Sequence, residues 1–252
     1  MIEVIPVGSG STGNSIYLEM GGYHLLVDMG IGYKKIRDAL AVHEKDIEMI
    51  DAVFLTHGHN DHVKSAEAIS HHIRGKIYTG ESVLYSIRKA EREKVILEEK
   101  KKEEILPGLY VTMFPVPHDY VRTCGFVFET EDRKIGYVSD CGKMNEDILE
   151  ELYGCDTVIL ESNHDVEMLK KGPYPYQLKQ RILSKYGHLS NEDCADCAVK
   201  LYEGGTRSFL LAHLSLHNNT PDLARKTFEE KMKGKDYFLY LCPEEGQDEL
   251  KL

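Results

Sequence analysis

Apolar positions in the first thirty residues recur at every second residue and are interrupted by glycine. Glu3–Val7 runs into the turn-rich stretch Gly8-Ser9-Gly10-Ser11-Thr12-Gly13-Asn14, and Ser15–Met20, Gly21-Gly22 and His24–Asp28 follow. A period of two with glycine punctuation predicts an antiparallel meander. Gly32–Val42 changes to helical spacing, and Asp51–Thr56 predicts a buried strand that ends on a polar cluster. Helical spacing returns over Val63–Ile73, with a strand at Lys76–Thr79. Glu81–Glu104 is dense in charge and predicts a helix with a solvated face. Strands are expected at Leu109–Val116, Cys124–Glu129, Lys134–Ser139, Thr157–Glu161, Ser208–His213 and Tyr237–Leu241. Helices are expected at Asp193–Tyr202 and Asp222–Lys233. The scheme of strands, then mixed strands and helices, then the same again predicts an α/β fold with two mixed sheets between helical layers. No repeat or linker divides the chain, so one domain over residues 1–252 is expected.

Composition adds little to this except in its charge. With 252 residues, 42% apolar and 29% charged, the chain can bury a substantial core. Met1–Val7 reads as a first strand and not as a signal peptide, and no run approaches the roughly 20 apolar residues of a membrane span. A cytoplasmic location without membrane contact is the expectation. Of the six cysteines only Cys194 and Cys197 are close in sequence, and no second such pair answers them, so reduced thiols are expected. The formal net charge of −11 opposes tight, non-specific nucleic-acid binding; any such attraction must be local.

The candidate chemistry is concentrated in Thr56-His57-Gly58-His59-Asn60-Asp61-His62, directly after Val53–Leu55. Three imidazoles and a carboxylate in so short a stretch are costly to bury unless something satisfies them. His57 and His59 can point one way, and Asp61 and His62 towards a neighbouring spot, which offers two ligands to each of two metal ions. Imidazole with carboxylate suits Zn, Mn or Fe. Later strand predictions end at His118, Asp140 and His213, and ligand sites in α/β folds favour such edges.

This order of motifs resembles the metallo-β-lactamase superfamily over essentially the whole chain, including Leu26-Val27-Asp28-Met29-Gly30 as its early aspartate motif. The resemblance implies the αββα sandwich. It also implies one metal on His57, His59 and His118, another on Asp61, His62 and His213, and Asp140 bridging. Asp28 would orient the histidine cluster. Tyr186-Gly187-His188-Leu189-Ser190 resembles the phosphodiesterase branch, in which His188 would contact the scissile phosphate or leaving oxygen beside the catalytic Asp61. Glu161-Ser162-Asn163-His164-Asp165, Lys171-Gly172-Pro173-Tyr174-Pro175 and Asn218-Asn219-Thr220-Pro221 are similar to YycJ/WalJ-type bacterial proteins. That likeness implies a 5′-to-3′ exonuclease on DNA and a link to a cell-wall two-component regulatory system. Gly58 departs from it, because relatives often carry an acidic residue there.

Two other classes remain open from sequence: a small-molecule hydrolase acting on a cyclic phosphodiester or thioester, and a non-catalytic regulatory partner. Glu161, His164 and His217 are weaker candidates for the site. His24, His43, His71 and His72 read as structural. Lys179 and Arg181 could grip backbone phosphates and Tyr174 and Tyr176 could stack on a base, but a solvated helix face and loop packing are the plainer readings. Gly8–Asn14 lacks the lysine of a phosphate-cradling loop and reads as a hairpin loop at the site's rim.

Overall fold

The computed structural model describes residues 2–242 and 250–252. β1 (Glu3–Gly8), β2 (Ser15–Met20) and β3 (Tyr23–Val27) form the antiparallel meander that the alternation predicts. Crossovers then replace hairpins. α1 (Tyr33–Val42) leads to β4 (Ala52–Leu55), and α2 (Asn60–Val63) with α3 (Ala66–Ser70) leads to β5 (Lys76–Thr79). β6 (Lys94–Ile96) follows, and β3 to β6 are all parallel.

The second sheet repeats the plan. β7 (Lys102–Leu106), β8 (Leu109–Pro115), β9 (Cys124–Glu129) and β10 (Lys134–Val138) are antiparallel neighbours. After α4 (Glu146–Leu152) comes β11 (Thr157–Glu161), parallel to β10. α5 (Val166–Lys171), α6 (Tyr176–Ile182) and α7 (Asn191–Glu203) precede the parallel strand β12 (Ser208–Ala212). α8 (Pro221–Lys231) then gives β13 (Phe238–Leu241), also parallel, and β14 (Leu250–Lys251) pairs antiparallel with β1. The strand orders are β14-β1-β2-β3-β4-β5-β6 and β13-β12-β11-β10-β9-β8-β7.

Alternation in the strands decides the layers. Leu25, Val27, Ala52 and Phe54 enter the core between the sheets, while Leu26, Val53 and Leu55 pack outward against Ile36 and Leu40 of α1. Phe54 meets Phe128 edge-on at 4.8 Å and Phe126 at 5.5 Å across the two sheets. On the far side, Val158, Leu160, Phe209 and Leu211 pack on Ala195, Ala198 and Leu201 of α7 and Phe228 of α8. Each large apolar side chain buried in this way contributes roughly 1.5–3 kcal/mol. The result is the expected αββα sandwich of two mixed sheets between helical layers.

Two predicted helices are corrected. The helix expected over Val63–Ile73 is confined to Ala66–Ser70, with α2 already ended at Val63, because Ser65 turns its N–H to the Met29 carbonyl (2.8 Å) and its hydroxyl to the Ile31 carbonyl (2.5 Å). Glu81–Glu104 has only a 3-10 turn at Glu81–Val83, further turns and edge strands. Its apolar positions begin at helical intervals (Val83, Ile87, Ala90) but change to alternation at Val95 and Leu97, which face the inter-sheet core. α4, α5, α6 and β14 were not expected; they are short, and α4 and α5 are marked mainly by their Asn145 and Asp165 caps.

Candidate active site

The carboxyl ends of parallel strands deliver five of the candidate side chains to one edge of the sandwich. Asp28 follows β3, His57 follows β4, Asp140 follows β10, Glu161 ends β11 and His213 follows β12. His118 arrives on the loop after β8. His59 is the N-cap of α2, whose first turn carries Asp61 and His62. Gly30 allows the Asp28 loop to lie against this turn, since a Cβ there would collide with the Asp61 carbonyl. The close approach is sealed by Met29 N–H to the His62 carbonyl (2.7 Å) and Asn14 N–H to the Asp61 carbonyl (2.8 Å).

Asp28, Asp140 and His213 adopt φ of +61°, +52° and +59°, three of the six non-glycine residues at positive φ among the described residues. Such backbone is sparsely populated and persists only where its surroundings enforce it. Here they do. The Asp28 N–H donates to the Phe54 carbonyl (2.8 Å) and its own carbonyl accepts from Ser15 Oγ (2.9 Å). The His213 N–H donates to Ser9 Oγ (2.7 Å), and its carbonyl accepts from Asn163 Nδ2 (3.0 Å).

The candidate ligands fall into two sets. Potential donor atoms of His57, His59 and His118 lie within 4.8 Å of one another, as do those of Asp61, His62 and His213. Asp140 stands between them, with Oδ2 2.9 Å from His62 Nε2 and Oδ1 3.8 Å from His118 Nε2. Several rings spend one nitrogen on the protein and turn the other to the centre, as metal-binding histidines require. His62 Nδ1 contacts Asp28 Oδ2 at 2.8 Å, His118 Nδ1 the Gly187 carbonyl at 3.1 Å, and His213 Nδ1 Glu161 Oε1 at 2.8 Å. His213 Nε2 is then buried with no hydrogen-bond partner, and His57 Nε2 faces His59 Nδ1 at 3.1 Å. An orphaned imidazole nitrogen beside converging nitrogen and carboxylate donors fits a divalent metal.

Charge in the site is distributed unevenly. Burial, reinforced by the neighbouring His62, holds His57 well below the usual imidazole range, and burial with His118 lowers His59. Burial also works against a charged His62, but Asp28 and Asp140 prevail and hold it well above that range. Glu161 is the second centre. Burial alone would raise it, yet His188 and His213 bring it to about 2. His188, whose Nδ1 lies 2.7 Å from Glu161 Oε1, is raised to about 9 against its burial. Glu161 Oε2 meanwhile accepts the backbone N–H groups of Cys141 (2.7 Å) and Leu189 (3.2 Å).

An open cleft of about 380 Å³ exposes this centre. His59, Asp61, His118, Asp140, His188 and His213 line it, with Ser11 of the β1–β2 loop at its rim and Tyr174, Leu178 and Arg181 along one wall. His164 and His217 do not reach it; their neighbours Asn163 and Ser215 do. His164 is buried with both ring nitrogens unpartnered, and burial lowers it to about 4. His217 is exposed and meets Tyr174 edge-on at 5.8 Å.

Sequence reasoning overlooked Asp119, whose Oδ1 is 3.1 Å from His118 Nε2 and whose other oxygen pairs with Arg181. Its signal was the acidic residue next to a candidate ligand at a strand end. Tyr120 was also overlooked. Its ring packs 5.0 Å from His59, and a Cβ on Gly58 would strike its hydroxyl, which explains glycine at that position. The Cys141 thiol is buried and pushed well up, principally by burial, which makes it inert as a nucleophile.

The sequence pattern of the β-lactamase superfamily domain matches residues 23–214, which include every candidate ligand. The chain belongs to the β-lactamase superfamily. Within that superfamily, it is 33% identical over 236 residues to the exodeoxyribonuclease WalJ of Streptococcus pneumoniae serotype 2 strain D39, covering 91% of this chain and 88% of the relative. It is 30% identical over 235 residues to the exodeoxyribonuclease YycJ of Bacillus anthracis, covering 92% and 89%. The crystal structure of the metallo-β-lactamase fold protein YhfI from Bacillus subtilis superposes with a TM-score of 0.75 over 100% of both chains, at 17% identity. No helix among the described residues is long and apolar enough to cross a membrane.

Proposed function

We propose that this superfamily member is one catalytic domain, a metal-dependent exodeoxyribonuclease that removes nucleotides from the 5′ end of DNA. His57, His59 and His118 would hold one divalent ion, Asp61, His62 and His213 a second, and Asp140 would serve both; Zn, Mn and Fe all suit these donors. A single observation carries the reading: Asp140 lies between two ligand-like clusters, 2.9 Å from His62 and 3.8 Å from His118, in an open cleft where His188 contacts Glu161. DNA as the substrate is supported by the names of WalJ and YycJ and by their likeness to nine-tenths of this chain. Six free, buried cysteines support a reducing, cytoplasmic setting.

Bound at these residues, divalent ions supply Lewis-acid stabilisation of the phosphoryl oxygens and a water acidic enough to attack near neutral pH. The rest is the work of the chain's own side chains. Asp28 and Glu161 fix the rings of His62 and His213. Glu161 keeps His188 in its charged form, with one N–H held by the carboxylate at Nδ1 and the other, on Nε2, left for substrate. There it donates a hydrogen bond to the phosphate and delivers a proton to the departing 3′ oxygen as the phosphorus–oxygen bond breaks. The open cleft accepts a chain end without enclosing it.

Digestion of end-labelled duplex DNA and RNA, with Mn, Zn or chelator, tests this. Label should leave the 5′ end of DNA as mononucleotide, with activity abolished by chelator. Turnover of a thioester with no cleavage of DNA under any metal would overturn the reading.

A further inference from the structure

The segment from Lys170 to Asn191 differs from the rest of the chain in charge. It holds Lys170, Lys171, Lys179, Arg181 and Lys185 and no Asp or Glu, in a protein with 42 acidic residues. It forms one wall of the cleft, where Leu178 and Arg181 lie one helical turn apart on α6 with Tyr174 just before them. Tyr176 and Tyr186 on the same segment are 75% and 48% exposed. Most of its cations are engaged locally. Lys170 and Lys171 each lie 3.3 Å from Glu167, Lys179 Nζ donates to the Lys170 carbonyl, and Lys185 covers the Tyr186 ring.

Arg181 differs because it reaches across the cleft. Its guanidinium pairs with Asp119 Oδ2, while Asp119 Oδ1 sits 3.1 Å from His118 Nε2 and 3.8 Å from His59 Nε2. The Arg181 side chain stays 56% exposed, so it has solvent on one face and the candidate metal ligands one carboxylate away on the other. A phosphate presents the same pair of oxygens to a guanidinium as a carboxylate does, and a planar fork recognises both.

The geometry points to Arg181 as the residue that binds a phosphate of the substrate strand, its guanidinium held at the cleft wall by Asp119. Substrate phosphate displaces the Asp119 carboxylate from the guanidinium, and recognition by this protein of net charge −11 is thereby confined to one wall. This rests on the nuclease reading and names the residue that would dock the strand.

The test is fluorescence anisotropy of chelator-treated protein on single-stranded oligodeoxynucleotides with a 5′-phosphate or a 5′-hydroxyl, over a salt series. Arg181→Ala should weaken binding about tenfold and lower the salt slope by about 0.7, the value of one contact to a single strand. Arg181→Lys should recover part of the loss, and Asp119→Asn should tighten binding about threefold. With Mn, Arg181→Ala should raise KM about tenfold and leave kcat within about threefold. A loss confined to the 5′-phosphorylated strand supports a terminal phosphate, and an equal loss on both strands supports an internal one. Wild-type binding with unchanged affinity and slope in Arg181→Ala overturns the proposal and leaves the nuclease reading intact. A wild-type protein that neither binds nor cuts DNA overturns both.

Discussion

Asp28 and Glu161 are both fully buried carboxylates at the ends of strands, and each orients imidazole, but they do so for different clients. Asp28 serves the first sheet: its oxygens take the Thr56 N–H (2.9 Å), the Thr56 hydroxyl (3.0 Å) and one ring, His62. Glu161 serves the second: it takes two backbone N–H groups and two rings, His213 and His188. One of those rings is a candidate ligand and the other the candidate acid. A change at Asp28 should therefore act on metal binding alone, whereas a change at Glu161 should act on metal binding and proton transfer together. Orientation of a ligand and tuning of an acid can be separated experimentally because the fold assigns them to different sheets.

Asp140 belongs to both sides, being 2.9 Å from His62 Nε2, 3.3 Å from His188 Nδ1 and 3.5 Å from His213 Nδ1. Burial opposes its charge, yet His213 and His62 hold it well below the carboxylate range. Asp140→Ala should thus produce the largest effect, a loss of DNA cleavage of about 10³-fold with a parallel fall in bound metal measured by elemental analysis. Activity within tenfold of wild type would show that the two sides do not meet at this residue.

Glu161→Gln comes next, at about 10²-fold in kcat, and added metal should not restore it. The pH dependence of the chelated protein sharpens the point. Glu161 lies at about 2 in the fold against an ordinary 4.5, so its contribution is complete above pH 4.5 and is lost as pH falls towards 2. His188 lies at about 9 against 6.5, so its contribution is complete below pH 6.5 and is lost as pH rises through 9. Both shifts describe one ion pair and are not summed. Thermal unfolding should find Glu161→Gln less stable than wild type by about 2–3 kcal/mol between pH 4.5 and 6.5, with a narrowing gap on both sides. A gap constant with pH would mean that packing, not charge, is what the substitution removed.

Asp28→Asn should cost 10–100-fold in metal affinity, the usual effect of removing an outer hydrogen-bond partner, while kcat at saturating metal stays within about threefold. If saturation fails to restore it, Asp28 acts on chemistry as Glu161 does, and the contrast between the two sheets disappears.

The two carboxylates were not equally legible in sequence. Leu26-Val27-Asp28-Met29-Gly30 announces its aspartate through its likeness to the superfamily's early motif, and His57–His62 declares itself by density alone. Glu161 sits at the end of an equally clear run, but nothing in Val158–Glu161 says which residues it will meet, since His188 and His213 are 27 and 52 residues away. The hairpin strands were legible by alternation, and the central parallel strands, buried on both faces, as short apolar runs such as Ala52–Leu55 and Ser208–Ala212. The stretch from Glu81 to Glu104 was misread as a helix because its charges mask the change from helical spacing to alternation at Val95 and Leu97. Asp119 and Arg181 meet only through tertiary packing, and each is an ordinary surface residue in its own segment. What the chain encodes locally could be read; what the two sheets bring together could not.

Thr56→Val is the smallest and most selective test of the comparison. The Thr56 hydroxyl lies 3.1 Å and 3.0 Å from the two oxygens of Asp28 and 3.0 Å from His57 Nδ1, so it links that carboxylate to a ring the carboxylate does not touch directly. Valine keeps the β-branched shape, and the backbone N–H still reaches Asp28. Only the hydroxyl's contacts are lost, those to Asp28 and to His57 Nδ1, at about 1–3 kcal/mol of stability. Because His62 remains on Asp28, metal affinity should fall less than tenfold, and the pH behaviour set by Glu161 should not move at all. A loss of metal as large as that of Asp28→Asn, measured by competition with a chromophoric chelator, would place the orientation of His57 and not that of His62 at the centre of what Asp28 does.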